Sequence, residues 1–108
     1  MKTNKLTRAA LNWAVHYAIH GECEGYSPFE YSTDWAQGGP IIDNLMKGEF
    51  FMMENGEEEG ENACHVAYSR TPHDNFHGFG PTLLIAAMRC YVASKLGDDI
   101  EIPPELIA

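Results

Sequence analysis

The chain has 108 residues, 44% of them hydrophobic, enough for one domain that buries its own core without a metal or a disulfide. Seven basic against sixteen acidic residues give a net charge of −9, which excludes direct binding to nucleic acid or to an anionic membrane, since both demand positive surface. Three cysteines in no disulfide spacing, and no apolar run of membrane-spanning length, point to a reducing cytoplasm.

The first predicted element is a helix over residues 7–20, capped by Thr7 and closed by Gly21. Leu11, Ala14, Val15 and Ala18 share one face at helical spacing, whereas Arg8, Asn12, His16 and His20 fall on the other. From Glu22 to Gly39 neither helical nor strand period holds. Tyr26, Phe29, Tyr31 and Trp35 are too apolar for a solvated linker, so this stretch reads as an ordered loop. Within it Asp34 and Gln37 form a capping arrangement for a single helical turn that Gly38 and Gly39 end. Pro40 then opens a short helix over about 40–47, with Ile41, Ile42, Leu45 and Met46 as its apolar stripe and Gly48 as its stop.

Glu49 to Glu54 predicts a strand that is apolar on both faces, Phe50 and Met52 against Phe51 and Met53, and therefore covered on both sides. Asn55 to Asn62 is a charged turn, and Ala63 to Ser69 returns as the hairpin partner. Arg70 to Phe79 reads as loop. Residues 81–96 form the helix around which the rest is organised: Pro81 takes its first position, Lys95 its last turn and Gly97 its end. Only Thr82, Arg89, Ser94 and Lys95 interrupt its apolar surface, so it belongs in the core. Ile100 to Ile102 is a candidate edge strand that Pro103 and Pro104 terminate. The expected fold is α+β. A small antiparallel sheet, built on a hairpin over 49–69 with the C-terminal edge strand, packs on the two main helices and the short one, in a single domain over 1–108. So small a sheet leaves an open edge and exposed aromatics, which predicts a homo-oligomer.

Three blocks, LTRAALNWAV, STDWAQGGPII and GPTLLIAAMRCYVASKLGDDIEIPPEL, resemble the NinX-like proteins of tailed bacteriophages, small phage-encoded proteins grouped as a family of unknown function. The stretches His16 to Gly21 and Asn44 to Asn75 depart from the family pattern. The resemblance implies a phage origin and expression in the bacterial host cytoplasm, and it carries over no catalytic residue.

Ser32 to Ile42 is the richest stretch for binding. Asp34 and Gln37 bring directional polar groups, Trp35 a stacking surface, and Gly38 and Gly39 backbone N–H groups ahead of a helix start, a recipe for a small anionic or nucleotide-like ligand. The same residues also make sense as cap, core plug and turn. Arg89, the one charge in the middle of the central helix, is a ligand anchor, a buried partner for an acid such as Asp34, or an exposed edge.

His16, His20 and Cys23 have the spacing of a helix-borne metal site, yet Gly21 ends the helix before Cys23 and a fourth ligand would have to come from His73 or His77, so no metal is assigned. His73 and His77 flank Asp74 and invite an acid–base reading, but no nucleophile sits in a recognisable elbow, and Cys64 and Cys90 occupy strand and helix positions. Glu54, Glu57, Glu58, Glu59 and Glu61 lack calcium-loop spacing and read as a solvated hairpin tip. The function expected is that of a non-enzymatic phage accessory protein, without cofactor. It would bind in the host cytoplasm, sequestering a small nucleotide-like molecule or inhibiting a host defence protein. The alternatives are a metal-assisted hydrolase using the histidines and an acidic DNA-mimic inhibitor.

Overall fold

The computed structural model describes residues 1–56 and 60–106 and folds them into three α-helices and a three-stranded antiparallel sheet, with short 3-10 turns at Thr3–Lys5 and Pro104–Leu106. In chain order the elements are α1 (Arg8–His20), α2 (Trp35–Met46), β1 (Phe50–Asn55), β2 (Cys64–Ser69), β3 (Phe76–Gly80) and α3 (Leu83–Leu96). The α+β architecture is the one expected. Glu57, Glu58 and Glu59 of the acidic turn lie outside the described residues.

Ten of the fourteen α3 residues are buried, as an all-round apolar helix requires. It starts at a cap, because the Thr82 hydroxyl accepts the Ile85 N–H at 3.1 Å, so Pro81 stands just outside the helix rather than at its first position. One side of α3 rests on β2 and β3, and α1 and α2 pack against the rest of it. The approach to β3 is close enough that a Cβ on Gly78 would collide with the Ala86 carbonyl, so glycine is required there. Leu6, Leu11, Val15, Val66, Met88, Cys90 and Val92 fill the centre. Gly21 closes α1 in the left-handed conformation, as the sequence predicts, whereas Thr7 sits at the cap position without a side-chain cap bond.

Four expectations need correction. First, α2 is one helix through Gly38, Gly39 and Pro40, not a single turn followed by a second helix over 40–47. Asp34 caps it at Ala36 and the missing proline N–H removes one early bond, less than the burial of Ile41, Ile42 and Leu45 returns. Second, Phe76–Gly80 is a strand, β3, in the stretch read as loop; its alternating glycines conceal a period that only pairing with β2 reveals. Third, the tail makes no strand over Ile100 to Ile102. It is held by the N-terminus instead, through a Lys2–Asp99 bridge and the Ile100 N–H donated to the Met1 carbonyl at 3.0 Å. Fourth, β1 is covered on one face only. Phe51 and Met53 pack toward the core, while Phe50 stands 51% exposed on the face away from α3.

Candidate binding surface

Asp34 is engaged on both oxygens: Oδ1 accepts the Ala36 N–H at 2.9 Å and Oδ2 accepts the Gln37 side-chain amide at 3.0 Å. The Gln37 carbonyl in turn accepts the Glu30 N–H. A second cluster continues the network inward, where the buried Asn12 Oδ1 accepts both the N–H and the hydroxyl of Ser32, at 2.9 and 2.8 Å. These polar groups therefore hold the 30–37 turn to α1 and start α2. The Gly38 N–H donates to the Asp34 carbonyl at 2.9 Å inside the helix, so it does not stand free ahead of a helix start.

The two glycines differ. A Cβ on Gly38 would collide with the Tyr31 carbonyl and lie 2.7 Å from Leu84 Cδ1, so Gly38 lets the loop pack on the helix. Around Gly39 there is nothing within 4 Å. Trp35 is 55% exposed and borders a shallow depression of about 200 Å³ with Ser32, Thr33, Thr82, Leu84 and Ile85. Met46, 59% exposed, returns to the same helical face three turns later, with Gly39 and the exposed Asp43 between them. One flank of α2 thus presents an aromatic ring, a notch and a thioether to solvent.

Arg89 is elsewhere. It is fully buried, its Nε donating to the Leu6 carbonyl at 2.9 Å and its Nη1 to the Phe79 carbonyl at 2.7 Å. Its Nη2 lies 2.6 Å from Glu61 Oε1, an ion pair outside hydrogen-bond alignment. The acid that balances it is therefore Glu61 at the hairpin tip, not Asp34. Of the six residues singled out, the structure gathers Asp34, Trp35, Gln37, Gly38 and Gly39 in one turn and leaves Arg89 apart, clamping the N-terminal segment, β3 and the hairpin together.

The histidines fall into two groups. The His16 and His20 rings lie 4.3 Å apart, and His16 Nδ1 is 3.1 Å from the Tyr31 hydroxyl. Burial first, and the neighbouring His20 second, lower the His16 pKa below its usual 6.5. The Cys23 thiol turns to the Gly25 carbonyl. Asp74 accepts from the backbone of Arg70 and Thr71 rather than orienting a histidine. His77 instead meets His65, which sequence reading left out: His65 Nε2 is 2.9 Å from His77 Nδ1, and its ring lies parallel to Phe79 with Glu54 3.4 Å from Nδ1. Only the β2–β3 register brings that pair together. Among the described residues no group of three or more His, Cys, Asp or Glu side chains is arranged to hold a metal ion. Burial pushes the Cys90 thiol up to about 12, so it is no nucleophile at neutral pH.

Sequence reading also missed two adjoining grooves of about 380 and 370 Å³ that share Arg8, Ala9 and Tyr26. Lys5 lines the first and Glu30 the second. The available signal was that Lys2, Lys5 and Arg8, three of the seven basic residues, fall within the first eight positions.

Among the described residues no helix is long and apolar enough to cross a membrane. No curated protein matches the chain. Residues 18–95, well over half of it, match the family model described as Bacteriophage P22, NinX. The match runs through α2, the sheet and nearly all of α3, including Asn44 to Asn75, one of the two stretches read as departing from the family pattern, and the chain belongs to the NinX family of phage proteins.

Proposed function

We propose that this protein is a phage accessory factor that works in the bacterial host cytoplasm by binding, and that the outward flank of α2 is the surface it binds with. The observation that carries this reading is the exposure of Trp35 and Met46 on one helical face, at 55% and 59%, with an open notch at Gly39 between them. Large apolar side chains grouped on one exposed helical face are what interaction sites present, and tryptophan is over-represented among the residues that dominate such contacts. Asp43 on the same flank and a net charge of −9 favour a basic partner surface over an acidic one. A host protein suits this flank better than a small anion does, because Asp34 and Gln37 already satisfy each other and Arg89 lies on another side.

The test is native mass spectrometry of protein purified from infected bacteria, comparing the wild type with the Trp35→Ala, Met46→Ala double variant. A host polypeptide retained by the first and lost from the second supports the reading. Equal retention by both would move the binding surface off α2, and a retained small molecule instead of a polypeptide would restore the sequestration alternative.

A further inference from the structure

The sheet has two outer edges, and they are treated differently. At β3 the chain covers its own edge: the Phe79 N–H donates to Asn4 Oδ1 at 3.0 Å and the Phe79 carbonyl accepts from Arg89. At β1, among the described residues, no backbone hydrogen bond reaches the side away from β2. The ladder tells which groups are left open. Pairing runs from Phe50↔Ser69 to Asn55↔Cys64, and the Gly56 N–H continues it to the Ala63 carbonyl. Bonded and non-bonded pairs alternate in an antiparallel ladder, so Phe50, Met52 and Glu54 bond inward, and Phe51, Met53 and Asn55 turn their N–H and C=O groups outward.

The sequence of β1, FFMMEN, suits an internal strand, apolar on both faces and without the lysine or proline that guards a natural edge. We propose that β1 is the seam of a homodimer, pairing antiparallel with β1 of a second copy so that two three-stranded sheets become one of six. The outward groups require one of Phe51, Met53 and Asn55 to face another of these three on the partner subunit, and the central register is the one in which Phe51 meets Met53. With Phe51 facing Met53 of the partner subunit, the two-fold axis passes at Met52, which faces its own counterpart in a non-bonded pair, the closer kind. Every central cross-strand pair is then apolar. Glu54 falls opposite Phe50 of the partner subunit, and the two Glu54 carboxylates stand about 14 Å apart, four residues at roughly 3.4 Å each, beyond the screening distance at physiological salt. This self-complementarity singles out a second copy among the possible occupants, and it is independent of the α2 surface.

Because each copy carries a net charge of −9, the dimer should tighten as salt is added, whereas a basic partner on the same edge would weaken. Sedimentation velocity over a concentration series should show dimer for the wild type, increasing with salt. Met52→Lys and Met52→Glu should each be monomeric, and their equimolar mixture should give a heterodimer several-fold more abundant than either homodimer in native mass spectrometry, since lysine then faces glutamate on the axis. A measurement that needs no variant is hydrogen exchange, where the Phe51 and Met53 amides should slow as wild-type concentration rises and the Phe79 amide should not change. A wild type that stays monomeric throughout, a mixture no richer in heterodimer than in homodimers, or exchange at Phe51 and Met53 indifferent to concentration would each overturn the proposal.

Discussion

Helices α2 and α3 both open on a side-chain cap, Asp34 for one and Thr82 for the other, and both are mostly apolar, yet their surroundings differ. Ten of fourteen residues of α3 are buried, against four of twelve in α2, whose Trp35 and Met46 face water. A helix with apolar residues on every side is surrounded by its own chain, whereas α2 keeps apolar residues on a side its own chain leaves uncovered. The first acts as scaffold. The second leaves a flank open to solvent, the surface proposed for binding. Substitutions in α3 should therefore change stability, and substitutions on the open flank of α2 should change binding while the fold stays intact.

The sharpest contrast is expected at Arg89. Arg89→Ala leaves the Leu6 and Phe79 carbonyls without their donor and a cavity in the core, and should lower the unfolding free energy by about 3–5 kcal/mol in urea titration. A loss under about 1 kcal/mol would deny α3 its scaffold role. Within α2 the two adjacent glycines divide the helix into a packed side and an open one. Gly38→Ala forces a methyl against the Tyr31 carbonyl and should destabilise by about 1–3 kcal/mol. Gly39→Ala meets open space and should stay within about 1 kcal/mol of wild type in thermal melts, helix propensity favouring alanine and the following proline opposing it. Equal effects at both would erase the distinction.

Asp34→Ala, which strips the cap, should cost about 1 kcal/mol. Trp35→Ala, one residue on, should change stability by no more than about 0.5 kcal/mol while abolishing partner retention. Smallest is the pH response. The folded pKa of His16 lies below 6.5, so the unfolded chain binds its proton more readily; stability is full above that pH and declines as pH falls below it. Urea midpoints at successive pH values should show this slope in the wild type and a shallower one in His16→Gln. The carboxyls of Asp99, held down chiefly by the N-terminal ammonium, and of Asp74, held down chiefly by the Thr71 N–H, contribute above 3.8 and lose that contribution further into acid.

How much of this was legible in the sequence followed the range of the forces involved. The α3 helix obeyed every local rule, apart from a cap two residues later than Pro81 at the first position implies, and the 49–69 hairpin followed from alternation around a charged turn. What local rules could not supply was long-range. The glycines of Phe76–Gly80 weaken strand propensity, and their purpose, admitting the α3 backbone at Gly78, appears only once the helix is in place. Gly38-Gly39-Pro40 reads as a break by propensity, but the Asp34 cap and burial of Ile41, Ile42 and Leu45 carry the helix across it. At the candidate site, Trp35 was recognisable because a tryptophan beside glycines is unusual in a turn. Arg89 needed the hairpin to find Glu61, and His65 needed the sheet register to find His77.

The most direct test of the outward flank of α2 is photocrosslinking in infected cells, with a benzophenone amino acid placed at position 35 and, as control, at the exposed Lys95 on α3. Binding through α2 predicts a discrete host adduct from position 35 and none from position 95. Adducts of equal yield at both positions, or none at position 35, would contradict it.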